Sequence, residues 1–464
     1  MRRVAALIGF LIPLLAQAQQ APTYPVFEND KLPISLYKQR REAIESQLGA
    51  SGAAILFTNP ERNRTNDTDF RFRADSNFLY LTGFEEPDAV LVLAPGGIDI
   101  DGRRVREVLL VNESNPTSET WLGYRMGSQG VMSLLGVELA LPNRRLGDVL
   151  EALGKTPGLK LARPLVPPDP SGLVATMSNS VNEWRKGLAS NDLNVNSALA
   201  KMRVIKSPEE IVLLRKAAEA SVMGHLEAMR SVQPGMREYE IQALVEYVFA
   251  RNGCESVAYN SIVGSGPNST ILHYEADRRL MEKGDIVCMD VAGEYHGYAA
   301  DVTRSFPVSG KFSPEQKAIY EIVLAAQDAG IAACKAGAPF SSAHVAAAKI
   351  LGDGLLKLGV ITDRNQLGRY FMHGTSHYVG LDVHDAHGDN TLREGAELTV
   401  EPGIYIKAGS PCDKKWWNIG VRIEDDILVT ANGPVNLSAG APRKVRDIEA
   451  LMRQRGIGNI RLRK

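Results

Sequence analysis

Residues 285–306, DIVCMDVAGEYHGYAADVTRSF, decide how this chain is read. Two arms rich in apolar residues, IVCMDVAG and YAADVTRSF, flank a short polar tip, the pattern of an antiparallel hairpin. Each arm carries an aspartate, Asp290 and Asp301, and a turn at Tyr295–His296 sets them opposite each other. Opposed side chains have Cβ atoms about 4.5–5.5 Å apart, and like charges there destabilise the pairing. Ile286, Val287, Met289, Val291, Val302 and Phe306 imply burial on at least one side. An unpaired carboxylate placed there costs several kcal/mol or takes up a proton. A divalent cation between the two resolves both difficulties. Exposure of both aspartates, or a proton-sharing pair doing acid–base work, would resolve them too, and the hairpin alone does not choose.

Further candidate ligands lie downstream. Four of the eight histidines fall in HGTSHYVGLDVHDAH, as His373, His377, His384 and His387. His373 and His377 have the i, i+4 spacing of a helical zinc motif, but Gly374 stands where that motif has its catalytic glutamate, and Gly-Thr-Ser is poor helix material. That class of metalloprotease is therefore rejected. LTVEPGIYI places Glu401 where a strand ends at Pro402–Gly403, and VRIEDDILVT places Glu424 in an apolar strand, which tolerates an inward carboxylate only when it is paired. Two aspartates, two glutamates and a histidine make a hard, oxygen-rich set suited to a pair of divalent ions. Manganese, cobalt or zinc fits such a set better than copper or haem.

Around these residues the pattern divides in two. Residues 27–195 alternate helix (LYKQRREAIESQL) with short strands (GAAILF, AVLVLAP, REVLLV), an α/β domain whose proline-rich stretch at 162–172 is irregular. A second domain, 200–440, opens on Ser207-Pro208-Glu209-Glu210, a capping box with proline at the first helical position. The device recurs at Ser313-Pro314-Glu315-Gln316, which hints at two related halves. With helices near 238–251 and 342–358, this domain reads as α+β, helices on an antiparallel sheet. The basic tail, 441–464, begins as a short helix and is expected to be solvated.

Bulk properties narrow the partners. The 464 residues carry a formal net charge of −1, so no global field draws nucleic acid or an anionic membrane. Arg2 and Arg3, an apolar run to Leu15 and then Ala16-Gln17-Ala18 have the layout of a cleaved export signal over 1–18, which places the mature protein in the periplasm or outside the cell. The run is shorter than the roughly 20 residues that span hydrocarbon, so no stable membrane anchor is expected. Four cysteines without C-x-x-C spacing are read as free thiols.

Taken together, FRFRADSNFLYLTGFEEPDAVLVL, YNSIVGSGPNSTILHY, the quoted hairpin, HGTSHYVGLDVHD, EPGIYI and VRIEDDILVT resemble the metal-dependent Xaa-Pro aminopeptidases, or aminopeptidase P, of the pita-bread fold, over about residues 35–450. The resemblance implies that Asp290 binds one of two divalent ions, that Asp301 and Glu424 bridge them, and that His377 and Glu401 bind the other. It gives Glu401 the proton of the attacking, metal-bridging hydroxide. It makes His273, His373 and His384 substrate-side histidines, and it puts Tyr259, Arg422 and Asp67 in a supporting network. Manganese is the expected metal, with zinc or cobalt as alternatives. The implied substrates are peptides with proline second, and the implied assembly is a homodimer or tetramer. The family commonly has Asp-Ala-Gly after the first ligand, whereas Asp290-Val291-Ala292-Gly293 moves the glycine one place along. A prolidase would share the ligands but take dipeptides only. A creatinase-like enzyme or a non-catalytic binding protein would be expected to have lost ligands, and this chain has all five.

Overall fold

The computed structural model describes residues 24–459, so the expected export signal lies outside the described residues. In the first domain the strand Gly52–Phe57 is buried along its whole length. It lies within a six-stranded mixed sheet ordered Leu139–Pro142, Arg103–Val111, Val90–Ile100, Gly52–Phe57, Lys160–Leu161, Ala189–Ser190. Strand side chains alternate between faces. Ala53, Ile55 and Phe57 therefore pack with Val149 and Val181 on one face, while Ala54 and Leu56 pack with Ile44 and Phe78 on the other.

That second core continues into the next domain through Leu213, Leu214, Ala217, Tyr298, Ala300 and Leu381. Apolar packing thus seats the first domain against the hairpin. A buried Arg40–Glu210 ion pair of 2.9 Å and a Tyr298 hydroxyl donated to Glu210 at 2.9 Å add polar contacts across the same seam. The helix Val195–Val204 runs through the junction expected near residue 200.

In the second domain the helices Pro208–Ser231 and Pro314–Ala333 both open on the expected capping boxes, Ser207 with Glu210 and Ser313 with Gln316. Each packs against the helix that follows it, Glu238–Arg251 and Ser342–Lys357. These helices share a core with short antiparallel strands through Val245, Phe249, Val287, Met289, Ile319 and Leu351. The strands form Ile262–Ser265, Ile286–Asp290 and Thr303–Pro307 in one sheet, and Glu397–Val400, Asp425–Thr430 and Gly433–Asn436 in another. Gly403–Ile406 pairs with Ile419–Arg422.

The hairpin register differs from expectation. Its two-residue turn is His296–Gly297, with φ of 49° and 79°, and Tyr295 faces Tyr298. Two positive φ values match the twist of a tight hairpin, and glycine is the residue that supplies one without strain. The shift puts Thr303 opposite Asp290. Asp301 instead falls in a break between Tyr298–Ala299 and Thr303–Pro307.

The tail also departs from the solvated reading. Ile448 and Leu451 of the helix Val445–Leu451 are buried, because the apolar side of that short helix packs on the main core. Gly458 N–H bonds Ser231 Oγ at 3.0 Å, which holds the following segment on the helix Pro208–Ser231.

Candidate metal centre

Each acidic ligand candidate sits where a strand stops. Asp290 ends Ile286–Asp290, and Asp301 lies in the hairpin break. Glu401 follows Glu397–Val400, and Glu424 stands between Ile419–Arg422 and Asp425–Thr430 rather than inside one strand as expected. Within a strand the pleat would send neighbouring side chains to opposite faces. At breaks the backbone is free to turn them toward one place.

His377 arrives on a non-helical segment laid along the strand that leads to Glu401. Thr399 N–H bonds His377 O at 2.9 Å, and Glu401 N–H bonds Thr375 O at 2.9 Å. The absence of helix around His377 agrees with the rejection of the helical zinc motif.

Asp301, His377 and Glu424 each offer a ligand atom, all within 4.8 Å of one another. His377 Nε2 lies 3.3 Å from Asp301 Oδ2 and 3.6 Å from Glu401 Oε1. Tyr259 Oη is 2.5 Å from Asp290 Oδ1 and 2.7 Å from Asp301 Oδ1. Its one proton serves only one of them, so the phenol holds the pair together without neutralising it. Arg422 donates to Asp290 Oδ2 at 2.5 Å, to Thr303 Oγ1 at 3.1 Å and to Tyr405 Oη at 2.9 Å. Thr303 in turn donates to Glu424 Oε2 at 2.6 Å. Tyr405 Oη lies 2.8 Å from His373 Nε2, so the arginine's influence reaches the histidine segment.

The electrostatics are those of crowded anions. Burial, then the charge of Asp290, raises the Asp301 carboxyl above the ordinary range. Burial, with Asp301 and Glu401 behind it, drives Glu424 well above that range. Burial pushes Glu401 up to about 8 although His377 and Arg422 pull it down. Burial opposes the charged form of His377, yet the hydrogen bond and charge of Asp301, with Glu401, lift it to about 9. Protons are thus drawn to the place where a cation belongs. The donor set fits one: hard oxygens predominate, and His377 Nδ1 lies 3.2 Å from Tyr378 O, which turns Nε2 toward the acids, where a cation would replace its proton.

The outer histidines differ from each other. His384 is exposed, with its ring 3.9 Å from that of His377. Burial, then the His377 charge and in lesser part that of His273, lowers its pKa, which puts His273, itself exposed, nearby. Burial and then Arg422 push His373 down to about 4, and its Nδ1 hydrogen goes to Gly374 O at 2.6 Å. A cavity of about 880 Å³ opens beside His384 between the two domains, and its wall includes Arg71, Arg73, Asp75, Glu255 and Asp382. None of the five ligand candidates is in its wall, and His384 is the side chain that links it to His377.

Asp67 lies in the first domain. It occupies the exposed turn between Asn63–Thr65 and Thr68–Asp69, a small hairpin whose Asn63 side chain bonds back to Asn66 O at 2.9 Å. Sequence reasoning missed Thr303 and Tyr405. Thr303 has a signal, since it lies two residues from Asp301 and so shares its face; Tyr405 is legible only through the pairing of its strand with Arg422's.

A family model for metallopeptidase family M24 matches residues 212–431, and one for the aminopeptidase P N-terminal domain matches residues 37–160. The sequence is 37% identical over 442 residues to an Xaa-Pro aminopeptidase of Escherichia coli strain K12, spanning 90% of this chain and 97% of that one. The chain belongs to metallopeptidase family M24. Solved structures agree with the assignment. Aminopeptidase P from E. coli with the inhibitor Pro-Leu superimposes with a TM-score of 0.83 at 36% identity, covering 91% of this chain and 98% of that one. Aminopeptidase PepP of Pseudomonas aeruginosa gives 0.84 at 36% identity, covering 92% and 99%. This M24 chain therefore has the two-domain α+β architecture of aminopeptidase P, with the pita-bread domain second.

Proposed function

We propose that this hydrolase releases the N-terminal residue from peptides with proline in second place, using two divalent cations held by Asp290, Asp301, His377, Glu401 and Glu424. The observation that carries the reading is the convergence of the acids at strand breaks, with His377 Nε2 facing two of the carboxylates. The names of the relatives supply the proline preference. Proline's tertiary amide and fixed φ make its bond a poor fit for general peptidases, so a dedicated site is physically sensible.

A bound divalent pair supplies neutralisation of the acids, a lowered pKa for water and Lewis-acid polarisation of a carbonyl. The chain's own groups do the rest. Glu401, whose Oε1 lies 3.6 Å from His377 Nε2, would accept and return the proton of the attacking water. His384, whose ring lies 3.9 Å from that of His377 and lines the cavity, would offer an N–H to the oxygen that gains charge as the peptide carbon becomes tetrahedral. His373, locked between Gly374 and Tyr405, and the exposed His273 would flank the peptide. Tyr259 and Arg422 set the position of Asp290.

The open cavity beside His384 leaves room for a chain beyond the proline, which favours peptides over dipeptides alone. Manganese is the proposed metal on donor hardness. Export is proposed on the Arg2–Ala18 layout. The test is to strip the protein with chelator, reload it with Mn2+, and assay an Xaa-Pro-Xaa tripeptide beside an Xaa-Pro dipeptide, with Asp301→Ala as control. Metal-restored cleavage of the tripeptide, lost in the variant, is the expected result. Cleavage of the dipeptide alone would make the enzyme a prolidase, and activity surviving both chelation and substitution would sink the metal mechanism.

A further inference from the structure

The helix Pro208–Ser231 meets the hairpin at the break that separates Asp290 from Asp301, and two side chains one helical turn apart touch the backbone there. Ser221 Oγ accepts from Gly293 N–H at 3.0 Å and donates to Ala217 O at 2.7 Å. His225 is wholly buried, and its Nε2 lies 3.1 Å from Val291 O and 2.9 Å from Val302 O. Both partners are carbonyls, so Nε2 carries the hydrogen. Nδ1 is then a bare lone pair, buried with no partner.

An orphaned nitrogen in an apolar helix–sheet seam costs stability, and an apolar residue in its place would avoid that cost. What the imidazole does there is specific. Val291 and Val302 directly follow Asp290 and Asp301, and both carbonyls face the helix; Val302 O also accepts the Val291 N–H at 3.2 Å, so the backbone ties the arms once and the imidazole adds a second tie that includes Val291 O. One N–H shared between the two arms ties them at the point that sets how the aspartates converge. From the other side, Asp426 accepts the Asp301 N–H at 3.1 Å and 3.2 Å. The break is thus gripped by a donor behind and an acceptor in front. Burial, and next the Arg304 charge, push His225 down to about 4, so it stays a neutral donor near neutral pH.

We propose that His225 is a positioning residue for the metal centre: its shared hydrogen bond clamps the hairpin break so that Asp290 and Asp301 present their carboxylates to a common cation, without touching metal or substrate. The inference rests on the reading of these aspartates as ligands.

His225→Phe keeps the ring volume and removes the donor, whereas His225→Gln puts an amide nitrogen where Nε2 stands. Leu351→Ala, a cavity in the same core away from the hairpin, reports what destabilisation alone does. On chelator-stripped full-length protein, Mn2+ affinity is measured by calorimetry and the thermal midpoint without metal by scanning. The reloaded enzyme is then assayed on the tripeptide. His225→Phe is expected to lower Mn2+ affinity and kcat by about 10- to 100-fold, the usual effect of losing a partner that orients a ligand, with KM unchanged. His225→Gln should recover most of both, and Leu351→Ala should lower the midpoint while leaving Mn2+ affinity alone. If His225→Phe does not fold, His225→Asn, too short to span both carbonyls, replaces it with the same expectation. Loss of stability with metal affinity intact in the donor-less variant, or no recovery in a folded Gln variant, overturns the proposal. Wild-type protein that binds Mn2+ but leaves the tripeptide whole would defeat the peptidase reading and still decide this one by affinity; wild-type protein that binds no Mn2+ would remove the ligand reading and this inference together.

Discussion

Two buried charged regions of this molecule are built on opposite plans. In the first domain Arg41 is wholly buried against Glu107, with contacts of 2.5 and 3.2 Å, and it also donates to Leu81 O at 3.0 Å. Glu107 there is matched by a bidentate arginine, and each nitrogen of Arg41 has an acceptor. In the second domain Asp290, Asp301, Glu401 and Glu424 crowd one place, with Arg422 and His377 as the basic groups set among them. A matched pair ties elements together, while an unmatched cluster is held in place by its scaffold for a ligand of the opposite charge. Net charge balance inside a domain is thus a guide to whether buried ions serve the fold or the chemistry.

Removing one ligand should have the largest effect. Asp301→Ala is expected to abolish turnover by on the order of 1000-fold or more, since Lewis-acid stabilisation is worth several kcal/mol and each decade of rate about 1.4 kcal/mol. The same variant should leave metal-free stability equal or higher, because it relieves repulsion; a large fall in the metal-free melting midpoint would show that the cluster behaves like the Arg41 pair after all. Arg41→Met tests the other side. It leaves Glu107 buried and unpaired and should cost about 3–5 kcal/mol in denaturant unfolding, with kcat per folded molecule unchanged. A neutral result would mean that the pair is dispensable.

Tyr259→Phe removes the hydroxyl shared by Asp290 and Asp301 and should weaken metal binding or turnover by about 10- to 100-fold while the fold persists. Smallest is a pH trend. In metal-free protein, Glu401 is held at about 8 against 4.5 for the free group, and His377 at about 9 against 6.5. The folded state then binds more protons than the unfolded state across these windows, so stability falls as pH rises through them. Melting midpoints in chelator should drop between about pH 6 and about pH 8.5, and Mn2+, which competes with those protons, should reverse the slope. A chelated protein that grows more stable over that range would contradict the crowded-anion picture.

Much of the site was legible without coordinates. The five ligand candidates stand on recognisable strand and glycine-rich patterns, and the capping boxes at Ser207 and Ser313 start helices as read. The register was not. Placing the turn at Tyr295–His296 gave the aspartates a direct cross-strand contact, while the actual turn uses Gly297 for a positive φ and leaves Asp301 at a break, joined to Asp290 through Tyr259. The glycine was the available clue. Asp67 lies on the exposed turn of a small hairpin in the first domain.

Residue chemistry along the chain raised a cation as one of several answers for carboxylates and a histidine in apolar surroundings, because the cost of burying charge depends on composition near each residue, and the family resemblance chose among those answers. Where those groups meet was decided only in three dimensions. Strand breaks, the loan of the His225 hydrogen to two carbonyls and the reach of Arg422 to Tyr405 depend on contacts between segments remote in sequence, and backbone direction at a break follows from what packs against it.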